Sequence, residues 1–151
     1  MALREYLIDY GFRQTTLTNF EREEFTRDSR RYRYELLSFQ PDRYQMLGCG
    51  PAGISFSSAP DGSYALKTMN PENSAEYLQS IHTDGPAWNR YFQHDAEEMK
   101  LLHFTRRLAA LQMEKGRFQE SFGGSSCGDY SEKITLLIQV GLLTPGEGEF
   151  A

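Results

Sequence analysis

Cysteine is scarce in this sequence, and its placement excludes two classes of protein. The chain has 151 residues and two cysteines, Cys49 and Cys127, which lie far apart without CxxC spacing. Two cysteines placed in this way define neither a disulfide scaffold nor a complete metal site. As free, partly buried thiols they fit a reducing compartment, so the sequence predicts a cytoplasmic protein without a metal site of its own.

Long apolar runs and a basic charge balance are also missing. No run approaches the roughly 20 apolar residues of a membrane span, and the start of the chain lacks the basic and apolar regions of a signal peptide. The formal net charge is −5, whereas nucleic-acid binding needs a basic face that displaces counterions from phosphate. The sequence therefore predicts no membrane partner and no nucleic-acid partner.

What is present indicates a globular chain that opens with a helix and a strand. Apolar content of 39% supports one moderate core. Over residues 2–10 the apolar side chains recur with helical spacing, at Leu3, Tyr6, Leu7 and Tyr10. Gly11 ends this helix, and residues 12–17 read as a strand. Such a unit cannot bury its own apolar face, so it is the tail of a larger α/β architecture or pairs with another chain, for example in a homodimer.

A predicted strand over residues 44–49 runs into a glycine-rich turn with three glycines, Gly48, Gly50 and Gly53. This spacing superficially matches a dinucleotide-binding loop, in which backbone amides approach a phosphate. The chain after it is extended rather than helical, which favours a tight turn with close packing instead. Residues 54–58 and 64–67 then form a predicted hairpin around the turn Pro60-Asp61-Gly62.

The second half of the chain reads as mainly helical. Asn70 followed by Pro71 is typical of a helix start, and residues 95–111 carry apolar side chains with the spacing of a long amphipathic helix. A Gly/Ser loop over residues 123–128 precedes a last helix that Ser131 caps and Gly141 ends.

The segment Tyr44–Phe56, YQMLGCGPAGISF, resembles the glycine-rich signature of the oxygen-independent coproporphyrinogen III oxidase superfamily of radical S-adenosylmethionine enzymes. Further elements resemble that family in the same order, and together they cover about two thirds of the chain. They are Asn70 and Tyr77, Glu97 or Glu98 with Leu101 to Arg107, Phe118 with Phe122-Gly123, and Leu136 to Leu143.

The resemblance implies an α+β fold in two parts. Residues 1–68 would be the terminal helix–strand units of an incomplete α/β barrel, with the glycine-rich turn and the hairpin. Residues 69–151 would be a mainly helical C-terminal domain that covers the barrel mouth. The N-terminal part of the barrel, in the same protein or in a separate chain, is then the expected partner.

The resemblance also implies which residues line the cavity for S-adenosylmethionine or substrate. These are Tyr34, Glu35, Gly50, Ala52 and Ile54. Adenine binds well against an apolar wall beside a small residue, although Ile54 equally fits a place in the core. Arg33 adjoins this set and is a candidate for binding the carboxylate of a ligand. The arginine cluster around it otherwise reads as a solvated face paired with nearby glutamates.

One departure from the family is decisive. The CxxxCxxC motif, whose cysteines hold the four-iron four-sulfur cluster of the parent enzyme, is missing from this sequence, and two isolated cysteines cannot replace it. The isolated chain is therefore predicted to be inactive, with no catalytic residue and no metal ligand of its own. Pro51 also differs from the family pattern and leaves the geometry of the turn open.

Three functions follow as hypotheses. The chain is a segment of a radical enzyme that oxidises or methylates a tetrapyrrole or a related substrate, a heme or porphyrin binding module, or a non-catalytic subunit that docks on a separate barrel chain. For the second hypothesis His103 is the candidate heme ligand, against the more common case of an ordinary helix histidine.

Overall fold

The computed structural model describes residues 3–27, 29–83, 85–112, 115–122 and 128–144. Helices and strands alternate along this part of the chain, so the predicted α+β class is confirmed. The helices are α1 (Leu3–Asp9), α2 (Tyr34–Ser38), α3 (Ser74–Ile81), α4 (Ala96–Ala109), α5 (Lys115–Phe122) and α6 (Gly128–Gln139). The strands are β1 (Phe12–Gln14), β2 (Phe20–Arg22), β3 (Ile54–Ser58), β4 (Tyr64–Met69) and β5 (Arg90–Asp95).

The chain folds into two compact units. Unit 1 comprises Met1–Gln40 and His103–Ala151, and unit 2 comprises Pro41–Leu102. The expected boundary between residues 68 and 69 falls inside β4 of unit 2. The assignment of residues 1–68 and 69–151 to a barrel tail and a cover domain refers to a larger protein, and it stays a prediction.

Unit 1 opens with the expected helix, glycine and strand. Helix α1 ends before Gly11, whose φ of +80° reverses the chain. Strand β1 is shorter than predicted and pairs with β2 in an antiparallel hairpin. The reason is the turn after it, where the carbonyl of Asn19 accepts hydrogen bonds from the backbone N–H groups of Thr15 and Thr16 at 2.9 and 3.4 Å.

The core of unit 1 is aromatic and lies among α4, α5 and α6. Phe104 stacks on Tyr130 with 4.9 Å between ring centroids, and Phe118 meets Tyr130 edge-on at 5.5 Å. Ile134 completes this cluster, in which all four side chains are buried. Burying side chains of this size contributes roughly 1.5–3 kcal/mol each, so this cluster is the main source of stability for the C-terminal helices.

The long helix α4 confirms the predicted helix over residues 95–111, but only Phe104 is buried among the predicted apolar stripe of Leu101, Phe104, Leu108 and Leu111. Leu101 is 50% exposed, whereas Met99, His103 and Arg107 are 1%, 2% and 4% exposed. These three residues follow one another at intervals of four and so share one side of the helix. Helical periodicity therefore located the element, while tertiary packing chose the side that is buried.

Unit 2 is built on a three-stranded antiparallel sheet in the order β3-β4-β5. The predicted hairpin is confirmed, with Ile54 opposite Met69 and Ser58 opposite Ala65. In its turn, hydrogen bonds from the hydroxyl and N–H of Ser63 lower the pKa of Asp61. Strand β5 was not predicted, and it lies in the part of the chain that was expected to be mainly helical.

Three local predictions need correction, and a fourth lies mostly outside the described residues. Asn70 does not cap a helix: α3 begins at Ser74, and the side chain of Asn73 accepts hydrogen bonds from the N–H groups of Ala75 and Glu76 at 2.8 and 3.2 Å. Residues 44–49 form one β-bridge rather than a strand. Helix α6 begins at Gly128, before the predicted cap Ser131. Most of the predicted Gly/Ser loop, residues 123–127, lies outside the described residues.

Candidate functional site

The glycine-rich turn of residues 48–53 is held closed at its base. Met46 and Phe56 exchange two backbone hydrogen bonds of 2.8 and 2.9 Å, which bring the two ends of the segment together. Gly50 has a φ of +85° and Ala52 a φ of +56°, so the chain reverses within a few residues. Ala52 thus adopts a left-handed conformation that costs a residue with a side chain about 1 kcal/mol or more.

Two of the three glycines are required by close packing. A Cβ atom on Gly48 would lie 2.3 Å from the backbone nitrogen of Ile54. A Cβ atom on Gly53 would lie 2.9 Å from the carbonyl oxygen of Gly50 and 3.0 Å from the side-chain nitrogen of Asn70. The backbone itself therefore occupies the space that side chains would take, as the sequence predicted for a tight turn.

Four of the five backbone N–H groups of the turn, those of Gly48, Gly50, Ala52 and Gly53, have acceptors within the protein. Gly50 N–H donates to the hydroxyl of Tyr77 at 3.1 Å, and Ala52 N–H donates to the carbonyl of Pro71 at 2.9 Å. The remaining bonds are Gly48 N–H to Ser55 Oγ at 3.0 Å and Gly53 N–H to Gly50 O at 3.1 Å. Because a phosphate would need these same donors, the turn is not a dinucleotide-binding loop.

Asn70 is the centre of this arrangement. Its Nδ2 donates to the carbonyl oxygens of Gly48 and Gly50 at 3.2 and 2.9 Å, and its backbone N–H donates to the carbonyl of Gly53 at 2.9 Å. Asn70 is only 6% exposed. Its side chain therefore replaces a backbone partner for the turn, which explains why it is not available as a helix cap.

The predicted cavity residues of unit 2 lie at the surface of this rigid turn. Ala52 is exposed, and Ile54 at the start of β3 is 36% exposed. Gly50 is partly exposed, and Pro51 follows it in an exposed position. The three predicted positions are thus neighbours in the turn, and about a third of Ile54 remains accessible there.

The predicted residues of unit 1 are held in a different setting. Glu35 lies in the first turn of α2, where its carboxylate accepts hydrogen bonds from the hydroxyls of Thr16 at 2.6 Å and Thr18 at 3.4 Å. The side-chain amide of Asn19 is a third donor to the same carboxylate. Glu35 therefore fastens the turn after β1 to α2, and these donors occupy the acceptor positions that a ligand hydroxyl would use.

The two residues before Glu35 that were predicted with it lie at the surface. Tyr34 is 60% exposed, and Arg33 is exposed at the residue before the helix. The structure therefore places Arg33, Tyr34 and Glu35 in unit 1 and Gly50, Ala52 and Ile54 in unit 2. A cavity shared by the two sets, and the role of each residue in it, remain predictions.

His103 does not have the setting of an accessible heme ligand. Its side chain is 2% exposed, and its ring meets the rings of Phe118 and Phe122 edge-on at centroid distances of 5.6 and 5.4 Å. A macrocycle would have to displace these aromatic side chains to bring an iron to the imidazole. His103 is therefore part of the packing of the helices of unit 1.

The described residues contain no constellation suited to an iron–sulfur cluster. Across the described ranges, no group of three or more His, Cys, Asp or Glu side chains could hold a metal ion. Cys49 is an exposed free thiol and not the partly buried one that was expected, and Cys127 lies outside the described part of the chain. Among the same residues, no helix has the length and apolar character needed to cross a membrane.

Comparison with known proteins gives a fold relationship. No protein-family model matches the sequence, and no curated protein matches it significantly. The structure is similar to that of coproporphyrinogen III oxidase (HemN) from Escherichia coli, described as a radical SAM enzyme, with a TM-score of 0.61 and 14% sequence identity. The similarity covers 97% of this chain and 34% of that chain. This chain therefore has the fold of about a third of that enzyme.

The sequence identified the glycine-rich turn, but it identified only some of the residues that form hydrogen bonds with it. The family resemblance had singled out Asn70 and Tyr77, and both contact the turn through their side chains. Pro71, whose carbonyl binds Ala52 N–H, was not identified as part of the site. Only its position directly after Asn70 could have drawn attention to it.

Proposed function

We propose that this chain is the C-terminal segment of a coproporphyrinogen III oxidase-like radical S-adenosylmethionine protein. In this role it helps to form the cavity in which S-adenosylmethionine and a tetrapyrrole-type substrate meet for oxidation or methyl transfer. The observation that carries the proposal is the fold similarity, which extends over 97% of this chain but over 34% of the similar enzyme. The remainder of such an enzyme would have to come from a preceding part of the same protein or from a separate chain.

The glycine-rich turn suits a cavity wall for physical reasons. Asn70 and Tyr77 fix its backbone through side-chain hydrogen bonds, so its outer surface is held in one conformation. That surface carries the small side chain of Ala52 and the apolar side chain of Ile54. A fixed wall that combines a small and an apolar residue suits a flat aromatic ring such as adenine.

The radical chemistry itself belongs to groups that this chain does not hold. A four-iron four-sulfur cluster with S-adenosylmethionine would supply the radical, and the described residues offer no ligands for such a cluster. The tasks left to this chain are to position ligands through its own side chains and to exclude water from the cavity. The isolated chain is then inactive, and the complete assembly would act in the cytoplasm.

If this chain and the cluster-binding barrel are different proteins, the proposal means that this chain docks on the separate barrel chain. The heme-binding alternative has no supporting observation in the structure, because His103 is enclosed by Phe118 and Phe122. A tetrapyrrole therefore enters the proposal as a substrate in a shared cavity and not as a ligand of this histidine.

An anaerobic assay tests the proposal. The purified chain is incubated with S-adenosylmethionine, coproporphyrinogen and a reductant, with and without a reconstituted CxxxCxxC barrel protein from the same genome. We expect 5′-deoxyadenosine only when both proteins are present. If the barrel protein forms it equally well alone, and a size-exclusion experiment detects no complex, the proposal is wrong.

Site-specific cross-linking then tests the role of the turn. A photoreactive amino acid in place of Ile54 is expected to cross-link to the barrel protein or to a photoreactive S-adenosylmethionine analogue. The same group in place of Leu78, an exposed residue of α3 in the same unit, is the matched control. Equal cross-linking from both positions would argue against a cavity at Ile54.

A further inference from the structure

Unit 1 contains a cavity of about 350 Å³ beside the β1–β2 hairpin. Residues from β1, from the loop that follows the short 3-10 helix Glu23–Phe25, and from the carboxyl end of α4 line it. The polar side chains around it are Arg13, Gln14, Thr15, Thr26, Arg27, Arg31 and Gln112. The side-chain amide of Gln14 already donates to the carbonyl of Leu17 at 3.2 Å. Three of the residues that line the cavity are arginines, and none of them is acidic. Its charge is therefore strongly positive.

The described residues neutralise little of this charge. The ion pair between Arg13 and Glu23 is long, at 3.8 Å, and both side chains are more than half exposed, so it contributes little. Nε of Arg31 is buried and has no hydrogen-bond partner within the described part of the chain. A buried donor on a charged group is costly to leave without an acceptor, which points to an acceptor that enters the cavity.

Within the described ranges, the residues around the cavity offer only a partial acceptor. Helix α4 ends at the cavity, where Leu111 has a φ of +58°, and the carbonyl end of a helix attracts cations weakly. The two hydroxyls in the wall already donate inward, from Thr15 to the carbonyl of Asn19 at 3.4 Å and from Thr26 to the carbonyl of Glu23 at 2.9 Å. The donors that remain for a ligand are the guanidinium groups and the side-chain amide of Gln112.

We infer that this cavity binds a compact anion that carries two or more carboxylate or phosphate groups. Guanidinium groups bind both classes through paired hydrogen bonds. A volume of about 350 Å³ is at the small end of ligand pockets, which span roughly 300–1,000 Å³. The site lies wholly within unit 1 and does not rest on the proposed function, since it needs neither a barrel partner nor S-adenosylmethionine.

Calorimetric titration of the full chain tests this site with two probes, pyrophosphate and citrate, at constant ionic strength. We expect saturable binding of at least one probe. Arg31→Gln is expected to weaken it by about tenfold to a hundredfold, because it removes a charge-assisted interaction. Arg30→Gln is the matched control: it removes the same charge from the same loop, but Arg30 does not line the cavity and lies over the ring of Phe25 at 4.4 Å.

The outcomes distinguish a phosphate site from a carboxylate site, and they show whether the cavity binds an anion at all. Binding of pyrophosphate alone identifies a phosphate site, and binding of citrate alone identifies a carboxylate site. Absence of saturable binding up to about 5 mM, weaker than any affinity that a built site of this kind would give, overturns the inference. An equal loss of affinity in Arg30→Gln also overturns the inference, because it would show that the anion is attracted unspecifically by the positive charge of the loop. If circular dichroism shows that the Arg31→Gln protein is not folded, Arg27→Gln is tested in its place.

Discussion

The hydroxyl of Tyr77 accepts a hydrogen bond from the backbone N–H of Gly50, with 3.1 Å between the two atoms. The two residues are 27 positions apart in the sequence. Because Gly50 lies in the glycine-rich turn and Tyr77 in α3, this bond connects the candidate cavity wall to a helix that follows the β3–β4 hairpin. The turn thus depends on tertiary contacts for its conformation.

Replacing Tyr77 with phenylalanine removes only the hydroxyl and leaves the N–H of Gly50 without its partner. We expect the free energy of unfolding to fall by about 1 kcal/mol, measured by urea denaturation. Tyr64→Phe is the matched control, because Tyr64 is 51% exposed in β4. An equal effect of the two substitutions would show that the bond to Gly50 is not formed in solution.

Asn70→Ala should be more destabilising, since it removes two hydrogen bonds to the carbonyls of Gly48 and Gly50 at a buried position. The expected loss is about 2 kcal/mol in the free energy of unfolding. Asn89→Ala, at an exposed asparagine of the same unit, should change it by less than about 0.5 kcal/mol. A loss below that control value would contradict the central role of Asn70.

Two glycine substitutions should have opposite effects. Gly48→Ala places a methyl group 2.3 Å from the backbone nitrogen of Ile54, so we expect a loss of more than about 3 kcal/mol or no folded protein. A Cβ atom at Gly116 in α5 meets nothing within 4 Å, and Gly116→Ala should raise stability by about 0.5–1 kcal/mol. Thermal unfolding followed by circular dichroism compares them, and a stable Gly48→Ala protein would rule out the close packing of the turn.

Glu35→Gln tests whether this side chain holds the fold or binds a ligand. The substitution replaces one acceptor oxygen with a donor that faces the donors of Thr16, Thr18 and Asn19. We expect a loss of about 1–3 kcal/mol in unfolding free energy, whereas Glu24→Gln at an exposed position should be nearly neutral. Unchanged stability, combined with weaker S-adenosylmethionine binding by the complete assembly, would instead support the ligand role.

Hemin titration tests whether His103 is a heme ligand. Because this side chain is 2% exposed between two phenylalanine rings, we expect no saturable change in the Soret absorbance of hemin that depends on it. His103→Gln and the exposed control His82→Gln should give the same titration as the unmodified chain. A signal that His103→Gln abolishes and His82→Gln retains would restore the heme-binding hypothesis.

Features with a local cause were predictable from the sequence. The helix over residues 95–111 follows from its apolar spacing, and the hairpin follows from the turn at Pro60-Asp61-Gly62 between two extended segments. The glycine-rich turn was predicted because three glycines so close together need room for the backbone. The helical spacing, the hairpin turn and the close approach of Gly48 to Ile54 each involve residues near one another in the chain, whereas the hydrogen bonds that fix the turn come from the distant residues Asn70 and Tyr77.

The errors have a common physical cause, which is competition from distant partners. An asparagine before a proline is a good helix cap in isolation, yet the carbonyls of Gly48 and Gly50 lie within reach and take the side chain of Asn70. The burial of strand β5 does not alternate along the strand. It forms because it pairs with β4 along the edge that β3 does not occupy.

The sequence by itself determined the principal helix and hairpin and the position of the tight turn, because short-range sterics and periodicity suffice for these, and its family resemblance implied the α+β class. Tertiary structure alone decided that Tyr77 and Pro71 accept hydrogen bonds from amides of the turn, that Glu35 fastens a neighbouring turn, and that Arg13, Arg27 and Arg31 surround one cavity. These three arrangements join residues far apart in the chain, and no local pattern encodes which distant donor meets which acceptor.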